Sequence, residues 1–240
     1  MTKRTLNKRK LGYLPCYQTG IEPFQSLFPG GAVNVLKDGM DDCAAILLWG
    51  GTDIHPSYYQ EKAHYSNQVY GAKTPSKRDQ DEWRAMVYAK ANNIPIIGVC
   101  RGAQFLCVFA GGRLIQDVSG HGSGSHLVSC IVNGEVAKYE STSCHHQMMY
   151  PYNVDHVLLA ASSVKKSVCY SSGPGAGLVD MTDRAEPEVV YFPGINGFAI
   201  QGHPEWMNES DAFVQWCLSS IEEHCFSTEE NLNSKEIICA

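Results

Sequence analysis

Short apolar runs alternate with helix-like segments in the first half of the chain, and this alternation constrains the fold more than any other feature. Residues 44–49 form a continuous apolar run that ends in a glycine pair, as expected for a strand buried on both faces. Residues 79–92 carry apolar side chains at helical spacing, and residues 95–99 are a second apolar run. Residues 103–110 predict a mostly buried helix. This order predicts an α/β fold with a mainly parallel sheet and helices on both faces.

The second half of the chain predicts further strands and one closing helix. We expect the strands at residues 157–161, 178–181, 189–192 and 198–201, and an amphipathic helix from about Ser210. With 240 residues and no segment that reads as a linker, residues 1–240 are interpreted as a single domain, with residues 226–240 a frayed polar tail.

The composition argues against a nucleic-acid-binding protein and against a membrane protein. A formal net charge of -6 and a pI near 5.8 argue against nucleic acid as the main partner, because phosphate binding needs clustered Lys and Arg. Nowhere do eighteen apolar residues run together, and the basic cluster at residues 3–10 is not followed by a signal-peptide core, so no membrane association is expected. The ten cysteines show no CxxC pair. We therefore expect a cytoplasmic protein with reduced cysteines.

The strongest local signal is Gly98-Val99-Cys100-Arg101-Gly102, between an apolar run and a helix. This is the G-x-nucleophile-x-G pattern of a sharp strand-to-helix turn, in which side chains at the two glycines would collide with the neighbouring strand and helix. The helix N-terminus there is expected to favour thiolate over thiol. The alternative is a buried cysteine between two turn glycines.

A candidate base follows the last predicted strand. His203 and Glu205 are two residues apart, and in an extended segment both would face the Cys100 edge. An imidazole can take the thiol proton and return it to a leaving amine, while a carboxylate fixes the imidazole tautomer. The alternative is a surface histidine that happens to lie near a glutamate.

A glycine pair follows the first predicted strand. Gly50 and Gly51 carry no side chain, so backbone N–H groups there can approach a substrate carbonyl. The N–H groups of Gly51 and Arg101 would together make a two-donor oxyanion site. An ordinary turn is the alternative.

These three signals occur in one order, and with them the chain resembles the class I glutamine amidotransferase superfamily. It is most similar to the γ-glutamyl-γ-aminobutyrate hydrolase-like, peptidase C26-type members. The matching segments are WGGTDIHPSYY (49–59), KRDQDEW (77–83), IPIIGVCRGAQFLCVFAGGRLIQDV (94–118), HHQ (145–147) and AIQGHPEW (199–206).

The resemblance implies a flavodoxin-like three-layer sandwich with the nucleophile at a strand–helix turn. It implies Cys100 as nucleophile, His203 as base and Glu205 as its partner, with a thioester intermediate. It also implies that eight further residues contact the oxyanion or the substrate. They are Gly50, Gly51, Arg101, Gln104, Ser143, His145, His146 and Gln147.

The sequence departs from the family pattern near the expected acceptor side. Thr142-Ser143-Cys144 stands where Asn-Ser and an aromatic residue are usual, and Asp180 where Glu is usual, which leaves the identity of the amine open. A metal pair at His145 and His146 would lack a third ligand with suitable spacing. His121 and His126 are interpreted as loop residues, and Asp79 and Glu82 first as helix-start acids and second as organisers of the site. No metal or cofactor is expected.

The function predicted is hydrolysis of a γ-glutamyl amide bond by a cysteine nucleophile, acting on a small γ-glutamyl substrate. Three alternatives stay open. The chain could be a glutaminase subunit that supplies ammonia to a separate synthetase, a non-catalytic binding module on the same fold, or an enzyme that transfers the γ-glutamyl group to an amine. A synthetase partner or a homo-oligomer is possible on this basis.

Overall fold

The computed structural model describes residues 10–16, 21–173 and 177–226. The strands are β1 Lys10–Tyr13, β2 Ala32–Asn34, β3 Cys43–Leu48, β4 Ile96–Val99, β5 Arg113–Ile115, β6 Asp117–Val118, β7 Ser125–Val132, β8 Glu135–Thr142, β9 Met148–Tyr150, β10 Val157–Ser162, β11 Tyr170–Ser171, β12 Pro187–Phe192 and β13 Gly197–Ile200. The helices are α1 Val35–Asp38, α2 Lys77–Ala91, α3 Arg101–Phe109 and α4 Ala212–Phe226. Short 3₁₀ turns occupy Phe24–Leu27, Pro56–Tyr58, Pro193–Ile195 and Pro204–Trp206.

One nine-stranded sheet forms the middle layer, in the order β2-β1-β3-β4-β13-β12-β10-β7-β8. The first five strands of this order run parallel to one another. The other four are added by antiparallel pairing. Fully buried apolar sequence explains the parallel part, because β3, β4 and β13 have no polar face to show to water.

Two apolar cores lie on the two faces of this sheet. Alternate residues of β3 divide between them, with Leu47 in one core and Ile46 and Leu48 in the other. The first core is closed by α4 and the second by α2 and α3. The predicted flavodoxin-like three-layer fold is thereby confirmed.

Helix α2 begins where its sequence provides a capping box. The Ser76 side chain accepts from the Asp79 N–H, and the Asp79 carboxylate accepts from the Ser76 N–H at 2.9 Å. The carboxylate of Asp79 is thus fixed at the first turn of α2, close to the strand edge where the candidate site lies.

Most predicted elements are present, and one is not. The predicted strands at 44–49, 95–99, 157–161, 189–192 and 198–201, the helices at 79–92 and 103–110 and the closing helix all have counterparts. The predicted strand at 178–181 is wrong: its one ladder contact is an isolated bridge from Leu178 to Ser171, and Leu178 is 72% exposed. A few apolar residues after a glycine-rich segment were too little to anchor a strand.

The closing helix extends to the edge of the expected tail. Its last residue, Phe226, packs its ring edge-on against Phe28 at a centroid distance of 5.9 Å. The rest of that tail, 227–240, lies outside the described residues. Within the described part of the chain, no helix has the length and apolar character needed to cross a membrane.

Candidate active site

The candidate site lies at the carboxyl ends of three adjacent parallel strands. The glycine pair follows β3, Cys100 follows β4 and His203 follows β13, and these strands are direct neighbours in the sheet. The sheet edge outside the carboxyl ends of parallel strands is the usual place for a ligand site in such folds. The structure therefore brings together the three signals that are far apart in sequence.

Cys100 occupies a strained backbone conformation at the start of α3. Its φ of 51° and ψ of -106° are unusual for a side chain with a Cβ atom. Both flanking glycines are required by space. A Cβ atom at Gly98 would lie 2.5 Å from the Gly102 carbonyl oxygen, and one at Gly102 would lie 2.3 Å from the Leu48 carbonyl oxygen. The turn can close only because neither residue has a side chain.

His203 and Glu205 form a hydrogen-bonded pair. The Nδ1 atom of His203 lies 2.8 Å from the Glu205 carboxylate, and both side chains are almost completely buried. The local geometry differs from the predicted extended segment, because Pro204–Trp206 is a 3₁₀ turn that follows His203. The tight turn folds the carboxylate back onto the ring. It also stacks the Trp206 ring on the imidazole, 3.7 Å away and nearly parallel.

Cys100 and His203 meet across Gly50. A Cβ atom placed on Gly50 would be 3.0 Å from His203 Cε1 and 3.4 Å from Cys100 Cβ, so the two side chains flank the same point. Since Nδ1 is bound to Glu205, the free ring nitrogen is Nε2. It is buried and has no hydrogen-bond partner among the described residues. An imidazole held in this way has one nitrogen available for proton transfer.

The surroundings of Cys100 favour the thiol over the thiolate. Burial, followed by the negative charge of Glu205, raises its pKa to about 12, although a hydrogen bond from the Arg101 backbone amide lowers it in part. The predicted preference for thiolate at the helix N-terminus is therefore outweighed by burial. Attack by this sulfur requires a base to take its proton as the new bond forms.

The loop after β3 is fixed at two points by arginine side chains. Arg78 donates to the Trp49 carbonyl at 2.8 Å and Arg101 donates to the Thr52 carbonyl at 2.7 Å. Between these anchors Gly51 has a φ of +135°, which side chains rarely adopt. The Gly51 backbone amide thus lies on a loop held on both sides by arginine side chains, and the Arg101 backbone amide lies at the start of α3.

A buried charge cluster ties α2 to the Cys100 turn. The Arg101 guanidinium is 2% exposed and forms ion pairs with Asp79 and Glu82 of α2. Glu82 also accepts from Arg78 at 2.7 Å. Asp79 and Glu82 are therefore organisers of the site, and the first interpretation of them as simple helix-start acids was incomplete. The Arg101 side chain is fully engaged in these ion pairs. Its backbone amide is therefore the candidate group for contact with substrate.

Thr142 holds the backbone of His203, and sequence reasoning did not assign it this role. Its hydroxyl accepts from the His203 N–H at 3.0 Å and donates to the His203 carbonyl at 2.9 Å. Thr142 ends β8, at the far edge of the sheet in strand order. Only its position in a segment that departs from the family pattern could have drawn attention to it.

Residues 143–147, which follow β8, contact α3 and the Cys100 sulfur, and we call this segment the wall of the site. Gln104 donates to the Gln147 carbonyl at 2.9 Å, which joins α3 to this wall. The carbonyl of Cys144 lies 4.0 Å from the Cys100 sulfur. The side-chain amide of Gln147 is buried near the Tyr59 hydroxyl and makes no hydrogen bond of good geometry among the described residues. Ser143 instead turns away from this point and donates to the His121 carbonyl.

The two neighbouring histidines have different environments. His146 donates to Asp53 at 3.0 Å, and that hydrogen bond raises its pKa against the effect of partial burial. His145 is fully buried, and burial, together with His121 nearby, holds its pKa well below the ordinary value. The structure brings His146 to the Asp53 side of the glycine loop and His145 to a second buried cluster.

That second cluster contains His121, which lies in the loop before β7 as predicted, and His126, for which the loop interpretation is wrong. His126 belongs to β7, and both rings are buried against carboxylates. His121 pairs with Glu186 at 3.1 Å and His126 with Glu188 at 2.8 Å. Neither carboxylate was singled out from the sequence, because both lie in or beside an ordinary-looking strand.

An open cavity lies beside the candidate site. It has a volume of about 610 Å³, and Thr142 and Trp206 form part of its wall. Charged side chains of both signs, Lys138, Glu140 and Asp211, also line it.

The mostly parallel sheet, the strand–helix turn at Cys100 and the sequence matches given next place the chain in the class I glutamine amidotransferase superfamily. The chain belongs to the Peptidase C26 family, whose model matches residues 16–163, more than half of the sequence. It is a glutamine amidotransferase-like hydrolytic enzyme on this basis.

Known proteins agree with this assignment. The glutamine amidotransferase-like protein YvdE of Lactococcus lactis subsp. lactis is 30% identical over 82% of this chain and 83% of its own length. A glutamine amidotransferase-type protein of Schizosaccharomyces pombe is 35% identical over 40% of this chain, and the match spans only 36% of that relative. Among solved structures, a glutamine amidotransferase of Thermotoga maritima has a TM-score of 0.54 at 12% identity, covering 96% of this chain and 86% of the other, a likeness of fold alone.

Proposed function

We propose that this protein hydrolyses γ-glutamyl amide bonds through a thioester on Cys100, with His203 as acid and base and Glu205 as its orienting partner. One observation carries the proposal. The strained Cys100 and the imidazole of His203 flank Gly50, with His203 Nε2 buried and unpaired among the described residues and its Nδ1 bound to Glu205. Such an arrangement supplies a sulfur nucleophile, a base and an orienting carboxylate, which are the groups that cysteine-dependent acyl transfer uses.

In the first step the sulfur attacks the γ-carbonyl carbon while Nε2 of His203 takes the thiol proton. The carbonyl oxygen becomes an oxyanion, and we assign its stabilisation to the N–H groups of Gly51 and Arg101. Losing one such donor typically costs about 10²–10³ in rate. Collapse of this intermediate breaks the C–N bond, and the proton on His203 passes to the departing amine.

In the second step water attacks the thioester carbonyl, and His203 takes its proton. The C–S bond breaks, the sulfur recovers the proton, and glutamate leaves. The neutral resting thiol supports this order of events, because no step needs a thiolate before substrate arrives. A cytoplasmic location belongs to the same proposal, since every cysteine in the described part of the chain is a free thiol.

The binding side of the proposal assigns the glutamyl part to the wall beyond Thr142. The buried amide of Gln147, which lies near the Tyr59 hydroxyl and makes no hydrogen bond of good geometry among the described residues, is assigned to the α-amino or α-carboxylate group. Gln104 supports that wall from α3. The cavity beside Trp206 has charges of both signs and is assigned to the leaving amine, which favours a polar amine over an apolar one.

An electrophilic glutamine analogue tests the proposal. We expect incubation with a glutamine-derived chloroketone to place one adduct on Cys100, located by peptide mass mapping, and to stop release of glutamate from a panel of γ-glutamyl amines. Cys100→Ser is expected to abolish labelling and to lower turnover by several orders of magnitude. Cys169→Ser is the matched control, because Cys169 is an exposed thiol elsewhere on the molecule, and it should behave as wild type. Turnover that survives Cys100→Ser rejects the proposal.

A second candidate is a glutaminase subunit that passes ammonia to a separate synthetase. The observation that favours it is the nature of some structural neighbours. A GMP synthase-type protein of Thermoplasma acidophilum has a TM-score of 0.58 at 16% identity, covering 97% of this chain and 98% of the other. PurLQS of Thermotoga maritima has a TM-score of 0.53 at 15% identity, with 89% and 98% covered. The two candidates share the chemistry of Cys100 and differ in the need for a partner.

A further inference from the structure

A cluster of ligand atoms lies outside the candidate active site, on the antiparallel side of the sheet. One ring nitrogen each from His121 and His126 and a carboxylate oxygen of Glu188 lie within 4.8 Å of one another. The side chains of these three residues are 0%, 6% and 1% exposed. Two histidines and a glutamate are a donor set that zinc enzymes use, and the proposed catalytic steps use none of the three.

The tautomer of His121 is set by its surroundings. Its Nε2 atom lies 3.1 Å from the Glu186 carboxylate, which also accepts from the backbone N–H groups of Lys166 and Ser167 and from the Tyr170 hydroxyl. A carboxylate with this many donors is an acceptor, so Nε2 of His121 carries the hydrogen. The lone pair is then on Nδ1. A carboxylate–histidine pair of this kind is the usual outer support of a metal-bound imidazole.

The lone pair of His121 faces another acceptor. Its Nδ1 atom lies 3.8 Å from Glu188 Oε1, and the same oxygen is 2.8 Å from His126 Nε2. The other carboxylate oxygen of Glu188 and Nδ1 of His126 are buried and have no hydrogen-bond partner among the described residues. At 2.8 Å the Nε2 atom of His126 donates to Glu188, and the Ser143 hydroxyl lies 3.5 Å from Nδ1 of His121. A cation would replace the His126 proton and would balance the charge of the buried carboxylate, which is costly when it is not paired.

We propose that His121, His126 and Glu188 bind one divalent transition-metal cation, with Zn²⁺ the best fit to a two-imidazole, one-carboxylate set. Ligand atoms about 2.0–2.1 Å from a tetrahedral Zn²⁺ are separated by roughly 3.3 Å from one another. The two separations from the Glu188 oxygen, 2.8 and 3.8 Å, bracket that value, and all three ligand atoms lie within 4.8 Å of one another, so side-chain shifts of about 1 Å would complete the site. The fourth position is left for water.

We expect the metal to stabilise the structure rather than to take part in catalysis. The His121 carbonyl accepts from the Ser143 hydroxyl and from the His145 N–H, both at 2.9 Å. A metal on His121 therefore fixes the start of the wall whose Cys144 carbonyl lies 4.0 Å from the Cys100 sulfur. Metal binding would stiffen this wall without a direct role in bond breaking.

The experiment uses the full-length chain carrying Cys100→Ser, so that the active-site thiol cannot bind metal. The chain is stripped with a chelator, then titrated with Zn²⁺ by calorimetry and with Co²⁺ by visible absorption. We expect one equivalent of metal per chain. The Co²⁺ spectrum should show tetrahedral d–d bands without the intense sulfur-to-metal charge-transfer bands that other cysteines would give.

Substitutions of the proposed ligands, and of the carboxylate that binds His121, distinguish a specific site from adventitious metal binding. Glu188→Gln and His126→Ala should abolish the one-equivalent binding. Glu186→Gln should weaken it about 10- to 100-fold, as the loss of an outer-sphere partner does. His156→Ala, a histidine outside the cluster, should leave the affinity unchanged. Thermal unfolding without metal checks that each variant is folded.

Two results would overturn the proposal. One is a stripped chain that takes up no Zn²⁺ or Co²⁺ at one equivalent. The other is Glu188→Gln, a near-isosteric change, binding metal as tightly as the parent chain. Either result would make the cluster a hydrogen-bonded proton network.

Discussion

At the scale of single residues, the position of the candidate base depends on a side chain from the other end of the sheet. The Thr142 hydroxyl accepts from the His203 N–H and donates to the His203 carbonyl, which also accepts from the Trp206 N–H. We expect Thr142→Val, which keeps the shape and removes the hydroxyl, to lower kcat about 10- to 100-fold with little change in KM, because a small displacement of the base is costly. Steady-state kinetics on a γ-glutamyl amine measures this.

Thr142→Ser is the matched control, since it keeps the hydroxyl. It should retain most of the wild-type kcat. Equal losses in the serine and valine variants would mean that the methyl group, and not the two hydrogen bonds, positions His203.

The protonation of Cys100 provides a second prediction at this scale. A pKa raised to about 12 by burial means that the thiolate fraction is small at neutral pH and rises with pH. We expect alkylation of Cys100 by iodoacetamide to accelerate by about tenfold per pH unit from pH 7 to pH 10. In the unfolded chain the same thiol has a pKa of about 8.5, and its rate should level off above that pH. A plateau below pH 8 in the folded protein would show a thiolate in the resting site and contradict the neutral-thiol mechanism.

At the scale of elements, α2 is joined to the Cys100 turn by buried charge. Arg101 is enclosed by Asp79 and Glu82, so removing one carboxylate leaves a buried guanidinium partly uncompensated. We expect Glu82→Gln to reduce the free energy of unfolding by about 3–5 kcal/mol and to lower kcat, because the Arg101 backbone amide loses its anchor. Urea unfolding and steady-state kinetics measure the two effects.

Asp81 on the same helix is the control. Its partners Lys77 and Arg84 are 77% and 67% exposed, so Asp81→Asn should cost no more than about 1 kcal/mol. Similar losses for Asp81→Asn and Glu82→Gln would show that burial of the Arg101 cluster does not matter to stability.

The sequence predicts the parallel part of the fold better than the antiparallel part, for a physical reason. Strands β3, β4 and β13 are buried on both faces, so their sequences are unbroken apolar runs. Strands β7 and β8 are half exposed, and their apolar residues are diluted by polar ones. Asn133-Gly134, with φ of 51° and 82°, was the available hairpin signal between them.

In the candidate site, too, some residues can be predicted from the sequence and others cannot. Cys100, His203 and the glycine pair are visible because the turn chemistry at each is local in sequence. The pairing of Arg101 with Asp79 and Glu82 spans about twenty residues, and that of Thr142 with His203 spans 61. No short pattern reveals contacts of that range, because they arise only when the sheet has assembled.

At the scale of the whole molecule, the two halves of the sheet supply different parts of the site. The parallel half supplies the sulfur, the imidazole and the glycine loop at the ends of β3, β4 and β13. The antiparallel half supplies Thr142 and the wall that follows it. The groups assigned to both chemical steps therefore come from one chain, and none of the proposed steps calls for a group from a partner.

This organisation predicts that the purified chain turns over γ-glutamyl amines without a partner. We expect glutamate release whose specific activity does not change over a hundredfold dilution of the protein, because no second copy has to complete the site. Size-exclusion chromatography over the same concentrations gives the oligomeric state with which the rates are compared. Activity that is absent in the isolated chain, with Cys100 still labelled by the glutamine analogue, and that returns with a synthetase, would identify an ammonia-supplying role instead. Because the labelling detects the nucleophile alone, that outcome would preserve the assignment of Cys100 and change only the role of the molecule.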